Sequence, residues 1–177
     1  MRDKRWLLAL CCALALAGLW LPRASAEPAL TPENFRYAYN ETAKYMGENQ
    51  GFFAEDITMC ANAPYYDEQV AGRFIYCSAD QHTLFRFDCD AGGQVRSLEV
   101  FFDMTPDCRP NNQPAWVAIT ALGLHWMEEG KLSEAYTWYN DSLGQDQLNA
   151  SAVIDGFVLE AYEIPRVAGI LRIAVAQ

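Results

Sequence analysis

The first amphipathic pattern in the chain predicts a helix. Thr31, Pro32 and Glu33 combine an N-cap residue, a proline for the first turn and an early acid, which together signal a helix start. Core-forming residues then recur every three or four positions, and this spacing predicts an amphipathic helix packed on an apolar layer. These residues are Phe35, Ala38, Tyr39, Thr42 and Met46, and the pattern stops at Gly47.

Between residues 57 and 104 the pattern changes to short runs of aromatic and β-branched residues that are separated by turn residues. The runs are 57–60, 73–77, 84–88 and 95–102. This punctuation is typical of an antiparallel meander. A turn at Asp80 and Gln81 would join the second run to the third. The stretch Asp90 to Gly93 supplies the positive-φ positions that the next hairpin needs.

Two further helices are predicted between residues 114 and 144. The first, 114–129, is apolar on nearly all sides, which predicts a central buried helix that Gly130 ends. Ser133 can cap the second, and Gly144 ends it. The apolar stripe of that helix is Leu132, Ala135, Tyr136, Tyr139 and Leu143.

The C-terminal part of the chain returns to a strand pattern. Val153 and Ile154 turn through Asp155 and Gly156 into the run 157–164, and Asp-Gly between apolar runs is a strong hairpin signal. A last strand covers 169–175. The order α-β-β-β-α-α-β-β predicts a single α+β domain over residues 27–177. In it, an antiparallel sheet of about five or six strands carries helices on one face.

Residues 1–26 are predicted to be a cleavable signal peptide. Arg2, Lys4 and Arg5 precede the apolar run 6–21, and the small residues 24–26 supply a cleavage site. The run is shorter than the roughly 18 apolar residues expected of a spanning helix, so no stable membrane anchor is expected after cleavage. We therefore expect the mature protein to be periplasmic or secreted.

The charge of the chain narrows the choice of partner. Its 177 residues hold 13 Lys and Arg against 23 Asp and Glu, a net charge of −10. Loss of residues 1–26 removes four basic residues and one acid, which leaves −13. Such a chain repels nucleic-acid phosphates and anionic lipid surfaces. We expect no nucleic-acid partner. A cationic protein partner is favoured, or the charge serves solubility alone.

Four cysteines remain after residue 26, an even number that predicts two disulfides in an exported protein. They are Cys60, Cys77, Cys89 and Cys108, and no pair has the C-x-x-C spacing of a zinc or redox site. In a hairpin of 73–77 with 84–89, Cys89 would lie roughly 13 Å along the partner strand from Cys77, which disfavours that bridge. Two patterns remain open: Cys60–Cys77 with Cys89–Cys108, which we favour, and the crossed pairing.

One stretch resembles a calcium-binding loop. Asp88, Asp90, Gly93 and Glu99 match the loop template, but Gly92 replaces the ligand at the fifth position of the loop. An extended hairpin would also carry Glu99 away from the two aspartates. We therefore predict no metal site, and nothing in the sequence calls for a cofactor.

Candidate catalytic groups are few. Histidine is the commonest general base, and the chain has only His82 and His125. Glu128 and Glu129 follow His125 by one helical turn, so an imidazole and a carboxylate could share a helix face. A small hydrolase or small-ligand binder that uses this pair is one alternative. No catalytic residue is assigned, because no recognisable catalytic set is present.

Aromatic residues near acids suggest a contact surface. Trp138 falls about 120° off the apolar stripe of the third helix, beside Glu134 and Asp141, and Tyr65 and Tyr66 lie in a predicted loop. Exposed aromatics among acids are typical of protein-binding patches, although other parts of the fold could cover them. The sequence thus predicts an extracytoplasmic binding protein: an inhibitor, an adaptor or an accessory factor. A second alternative is a homodimer formed through Trp138 or a free sheet edge.

Overall fold

Three helices and seven strands make up the part of the chain that the computed structural model describes. Those residues are 28–51, 54–60, 72–79, 82–103, 112–143, 148–164 and 168–176. Several predictions fall outside them: the signal peptide, the turn at Asp80 and Gln81, the loop residues Tyr65 and Tyr66, and Cys108. None of the described helices is long and apolar enough to cross a membrane.

The element order confirms an α+β fold. The helices are α1 (Pro32–Gln50), α2 (Gln113–Trp126) and α3 (Lys131–Leu143). The strands are β1 (Ile57–Met59), β2 (Arg73–Ser78), β3 (Thr83–Cys89), β4 (Val95–Asp103), β5 (Asn149–Ile154), β6 (Phe157–Ile164) and β7 (Ala168–Val175).

All seven strands form one antiparallel sheet in the order β1-β2-β3-β4-β7-β6-β5. The predicted five or six strands are therefore too few, because four strands precede the helix pair and three follow it. The largest difference is at β5, which begins at Asn149 rather than Val153. Asn149 and Ser151 occupy exposed positions of an edge strand, where polar residues are compatible with a strand but give no apolar signal.

Helix α1 begins as predicted and ends later. The backbone N–H of Asn34 donates to Thr31 Oγ1 over 3.2 Å, which makes Thr31 the N-cap. The predicted end at Gly47 is wrong. The helix continues to Gln50, and Gly51 caps it with φ 69° and an N–H that donates to Met46 O. A left-handed C-cap suits glycine, and Gly51 takes that conformation whereas Gly47 does not.

Helices α2 and α3 pack closely against each other. A Cβ atom on Gly123 would come within 2.6 Å of Leu132, so this glycine permits the close approach. Helix α2 ends at Trp126, three residues before the predicted end, and Gly130 takes a left-handed conformation with φ 89°. The predicted capping role of Ser133 is wrong: α3 starts at Lys131, and Ser133 Oγ donates back to Gly130 O.

The main core lies between the helices and one face of the sheet. Phe35 of α1 stands at ring-centroid distances of 5.6 Å from Phe87 and 6.0 Å from Trp126. Tyr39 meets Phe85 edge to face at 4.7 Å. All of these side chains are buried. Buried aromatic pairs of this kind add about 0.5–1.5 kcal/mol each beyond the area that they bury.

Candidate functional site

The sheet face that turns away from the helices carries a row of charged side chains. Successive residues of a strand point to opposite faces, so alternate positions of β3, β4, β6 and β7 lie on this face. The strand register aligns Arg86 with Glu99, Glu99 with Arg172 and Arg172 with Glu160. Two more residues on β2 and β3 extend the row. We call the six residues the charge ladder: Arg73, Asp88, Arg86, Glu99, Arg172 and Glu160.

The charges alternate in sign along the ladder, and neighbours are in contact. Arg73 Nε lies 2.8 Å from Asp88 Oδ1, and Arg172 Nη1 lies 2.6 Å from Glu160 Oε2. Arg86 Nη2 contacts Glu99 Oε2, while Arg172 Nε lies 3.8 Å from Glu99 Oε1. Asp88 Oδ2 is 3.9 Å from Arg86 Nε. The six groups therefore form one continuous network across five strands.

Glu99 stands at the centre of this network and is the most buried of the six. The residue is 8% exposed, and its carboxylate has a guanidinium on each side. A buried carboxylate is tolerated only when opposite charges and hydrogen bonds offset the loss of hydration. Arg86 also lies over the ring of Phe101, with 5.9 Å to the centroid. Its Nε is buried and has no hydrogen-bond acceptor among the described residues.

A polar groove of about 400 Å³ runs along the ladder. Five ladder residues line it, and so do Ser97, Asn149, Ser151 and Tyr162. Because Asn149 and Ser151 belong to β5, the groove reaches the edge of the sheet. Burial, and then the negative charge of Glu99, raise the pKa of Tyr162, so its phenol is a neutral hydrogen-bond donor and acceptor.

The groove suits recognition more than acid–base chemistry. It contains no histidine or cysteine among its described lining residues, and each of its carboxylates contacts an arginine. Planar guanidinium and carboxylate groups, hydroxyls and an amide instead offer directional hydrogen bonds to a ligand.

The residues of the calcium-loop resemblance have other partners. Asp88 and Glu99 belong to the charge ladder. Asp90 closes the β3–β4 turn, because its Oδ1 accepts the N–H groups of Gly92 and Gln94 over 2.8 and 3.0 Å. Among the described residues, no group of three His, Cys, Asp or Glu side chains is placed to hold a metal ion.

Of the aromatic patch predicted from the sequence, the structure describes only the three residues on α3. Glu134 and Asp141 are exposed, and Glu134 pairs with Lys131 over 2.9 Å. Trp138 is half-buried and packs against the core, and its Nε1 is buried with no acceptor among the described residues. Much of this indole is therefore covered by the fold. Tyr65 and Tyr66 lie outside the described residues.

His125 occupies a different environment. It is half-buried beside Trp126, with ring centroids 5.5 Å apart, and burial lowers its pKa. Glu128 and Glu129 are exposed. None of these three residues lines the polar groove, and none lines the small apolar cavity beside Leu30, Phe35 and Phe157. The geometry therefore adds no support to a catalytic use of His125.

The sequence does not predict the charge ladder, although two of its arginines leave a signal. Arg86 and Arg172 each stand alone between apolar neighbours of a strand, Phe85 and Phe87 in one case and Leu171 and Ile173 in the other. A single charge between two core positions indicates an outward-facing residue. Alignment of such charges across strands depends on register, which the sequence does not state.

Comparison of the chain with protein-family models, with curated proteins and with solved structures finds no significant match.

Proposed function

We propose that the protein is an exported binding protein, periplasmic or secreted, that recognises another protein through the sheet face that carries the charge ladder. We call it the helix-free face, because it turns away from the three described helices. One observation carries the proposal: the polar groove along the charge ladder, on the sheet face opposite the main core. The predicted signal peptide supports export, and the negative charge of the chain favours a cationic partner.

The ladder offers one accessible carboxylate on each side of a buried one. Side chains of Asp88 and Glu160 are 35% and 34% exposed, whereas that of Glu99 is 11% exposed. A lysine or arginine of the partner can therefore reach Asp88 and Glu160, while Glu99 holds Arg86 and Arg172 in position. The negative field of the whole chain increases the rate at which a cationic partner arrives.

A second candidate is self-association at the β5 edge. Glu163 N–H donates to Leu148 O, which makes these two residues a hydrogen-bonded pair between β5 and β6. Because such pairs alternate, the backbone groups of Asn149, Ser151 and Val153 point outward. Strand β5 carries no charge and no proline to protect that edge. Sedimentation of the mature protein tests this candidate, and a monomer at high concentration contradicts it.

The main proposal is tested by blocking the groove. Immobilised mature protein is incubated with extract of the compartment into which the native host exports it, and bound proteins are quantified by mass spectrometry. Ser151→Trp places an indole at the exposed end of the groove, and Asn140→Trp makes the same change at an exposed position of α3. We expect a bound protein that Ser151→Trp loses and Asn140→Trp keeps. Equal capture by both variants, or no capture by the parent protein, contradicts the proposal.

A further inference from the structure

Cys60 and Cys77 are diagonal neighbours across the β1–β2 pair, on the helix-free face of the sheet. Strand β1 pairs Thr58 with Cys77, and the pairing continues one step beyond the strand, because Cys60 N–H donates to Ile75 O over 2.9 Å. Cys60 is two residues after Thr58 and so points to the same face as Cys77. The two thiols are close enough to share a hydrogen bond.

Cys89 has no such access to either cysteine. It packs against the main core, so it points to the opposite face of the sheet. Cys60 lies opposite Ile75, which lies opposite Arg86, and Cys89 is three residues farther along β3. Cys60 and Cys89 are therefore two strand spacings, or roughly 10 Å, apart across the sheet, and three residues, or roughly 10 Å, apart along the strands. A disulfide needs Cα atoms within about 7 Å, which excludes Cys60–Cys89 and with it the crossed pairing.

We propose that Cys60 and Cys77 form a disulfide that fastens the edge strand β1 to β2, and that Cys60 is the first of the two to react. The order follows from access. Cys60 is half-buried, whereas Cys77 is only 7% exposed. Burial, together with the hydrogen bond to Cys60, also raises the pKa of Cys77 to about 11, so this side chain is a thiol at neutral pH. Thiolates, and not thiols, attack disulfides.

The reaction needs an oxidant that is itself a disulfide, either a small one such as oxidised glutathione or one on a protein. The Cys60 thiolate attacks one sulfur of that disulfide, which forms a mixed disulfide and releases one thiolate. Cys77 then gives its proton to solvent and attacks the Cys60 sulfur, which releases the second thiolate. The two cysteines lose two electrons in total, and the oxidant gains them as it becomes two thiols.

The bond would complete the attachment of β1. This strand has only three residues, and its first is already held by α1: Ile57 N–H donates to Asn40 Oδ1, and Asn40 Nδ2 donates to Ile57 O. The disulfide would hold the other end. An edge strand fixed at both ends is less free to detach and expose the edge of β2. This inference does not rest on the groove or on its partner.

The test uses the purified, fully reduced chain with oxidised glutathione, followed by alkylation and peptide mass spectrometry. Cys89→Ser is the matched control. We expect a Cys60–Cys77 linked peptide in the parent chain and in the control. We expect Cys77→Ser to accumulate glutathione on Cys60. We expect Cys77 in Cys60→Ser to react at no more than roughly a tenth of the rate of Cys60 in Cys77→Ser, because each unit by which the pKa rises lowers the thiolate fraction tenfold.

Repeating the reaction in guanidinium chloride separates the effect of the fold from that of the local sequence. The difference in rate between Cys60 and Cys77 should disappear when the chain is unfolded. Absence of the Cys60–Cys77 peptide from the folded parent chain would overturn the disulfide. Equal rates at the two cysteines in the folded single variants would overturn the order.

Discussion

Glutamine in place of Glu99 removes one charge from the centre of the charge ladder and keeps the shape of the side chain. Arg86 and Arg172 then lose the carboxylate that they share. Arg172 keeps its contact with Glu160, and Arg86 keeps only Asp88 at 3.9 Å. We therefore expect the folded state to be destabilised chiefly through Arg86.

The expected size follows from burial. Exposed ion pairs contribute about 0–1 kcal/mol, and breaking a fully buried pair costs about 3–5 kcal/mol. The side chain of Glu99 is 11% exposed, but those of Arg86 and Arg172 are 26% and 40% exposed, so solvent offsets part of the loss. We expect the free energy of unfolding to fall by about 2 kcal/mol. For a chain of this length that lowers Tm by about 4–8 °C.

Urea unfolding followed by circular dichroism measures this change. The matched control is Glu134→Gln, which removes an exposed carboxylate that pairs with Lys131, and it should cost less than about 0.5 kcal/mol. Adding Arg86→Met to Glu99→Gln should recover part of the lost stability, because no unpaired guanidinium remains at that position. If Glu99→Gln costs no more than Glu134→Gln, the carboxylate is not the centre of a buried network.

Two further predictions concern the sheet and the histidine. Gly169→Ala should cost about 1–3 kcal/mol in urea unfolding, because the new Cβ would lie 2.1 Å from the ring of Phe102; Gly92→Ala in an exposed turn should cost much less, and equal losses would contradict the overlap. Burial lowers the pKa of His125 below 6.5, so as pH falls the unfolded chain binds a proton before the folded chain does. The neutral ring therefore contributes fully to the free energy of unfolding above about pH 6.5, and this contribution is lost as pH falls through the folded pKa. His125→Gln should therefore lose less stability between about pH 7 and pH 5 than the parent chain or His82→Gln, and three parallel profiles would refute this.

Local signals in the sequence predicted the elements well where a single residue type decides the geometry. Thr31 caps α1, and Asp155 and Gly156 form the β5–β6 turn with φ 51° and 77°. The start of β5 was missed because Asn149 is polar on an exposed edge. The end of α1 was missed because Gly47 and Gly51 look alike in sequence, and only the second takes a left-handed conformation.

The candidate site was not predictable by the same means. Arg86, Glu99, Glu160 and Arg172 are spread over residues 86–172 of the chain, and only the pairing of β3, β4, β7 and β6 across the sheet brings them together. That pairing places the last strand, β7, between β4 and β6. A shift of one residue in any pair would have sent the charges to the core face, so register creates the site.

Crosslinking in the native host tests whether the helix-free face binds another protein. A photoreactive amino acid at Ser151, in the groove, is compared with the same residue at Asn140, on the exposed side of α3. We predict a discrete adduct from Ser151 that is weakened by Glu160→Ala and is absent from Asn140. An adduct of equal strength from both positions, or from Asn140 alone, would contradict it.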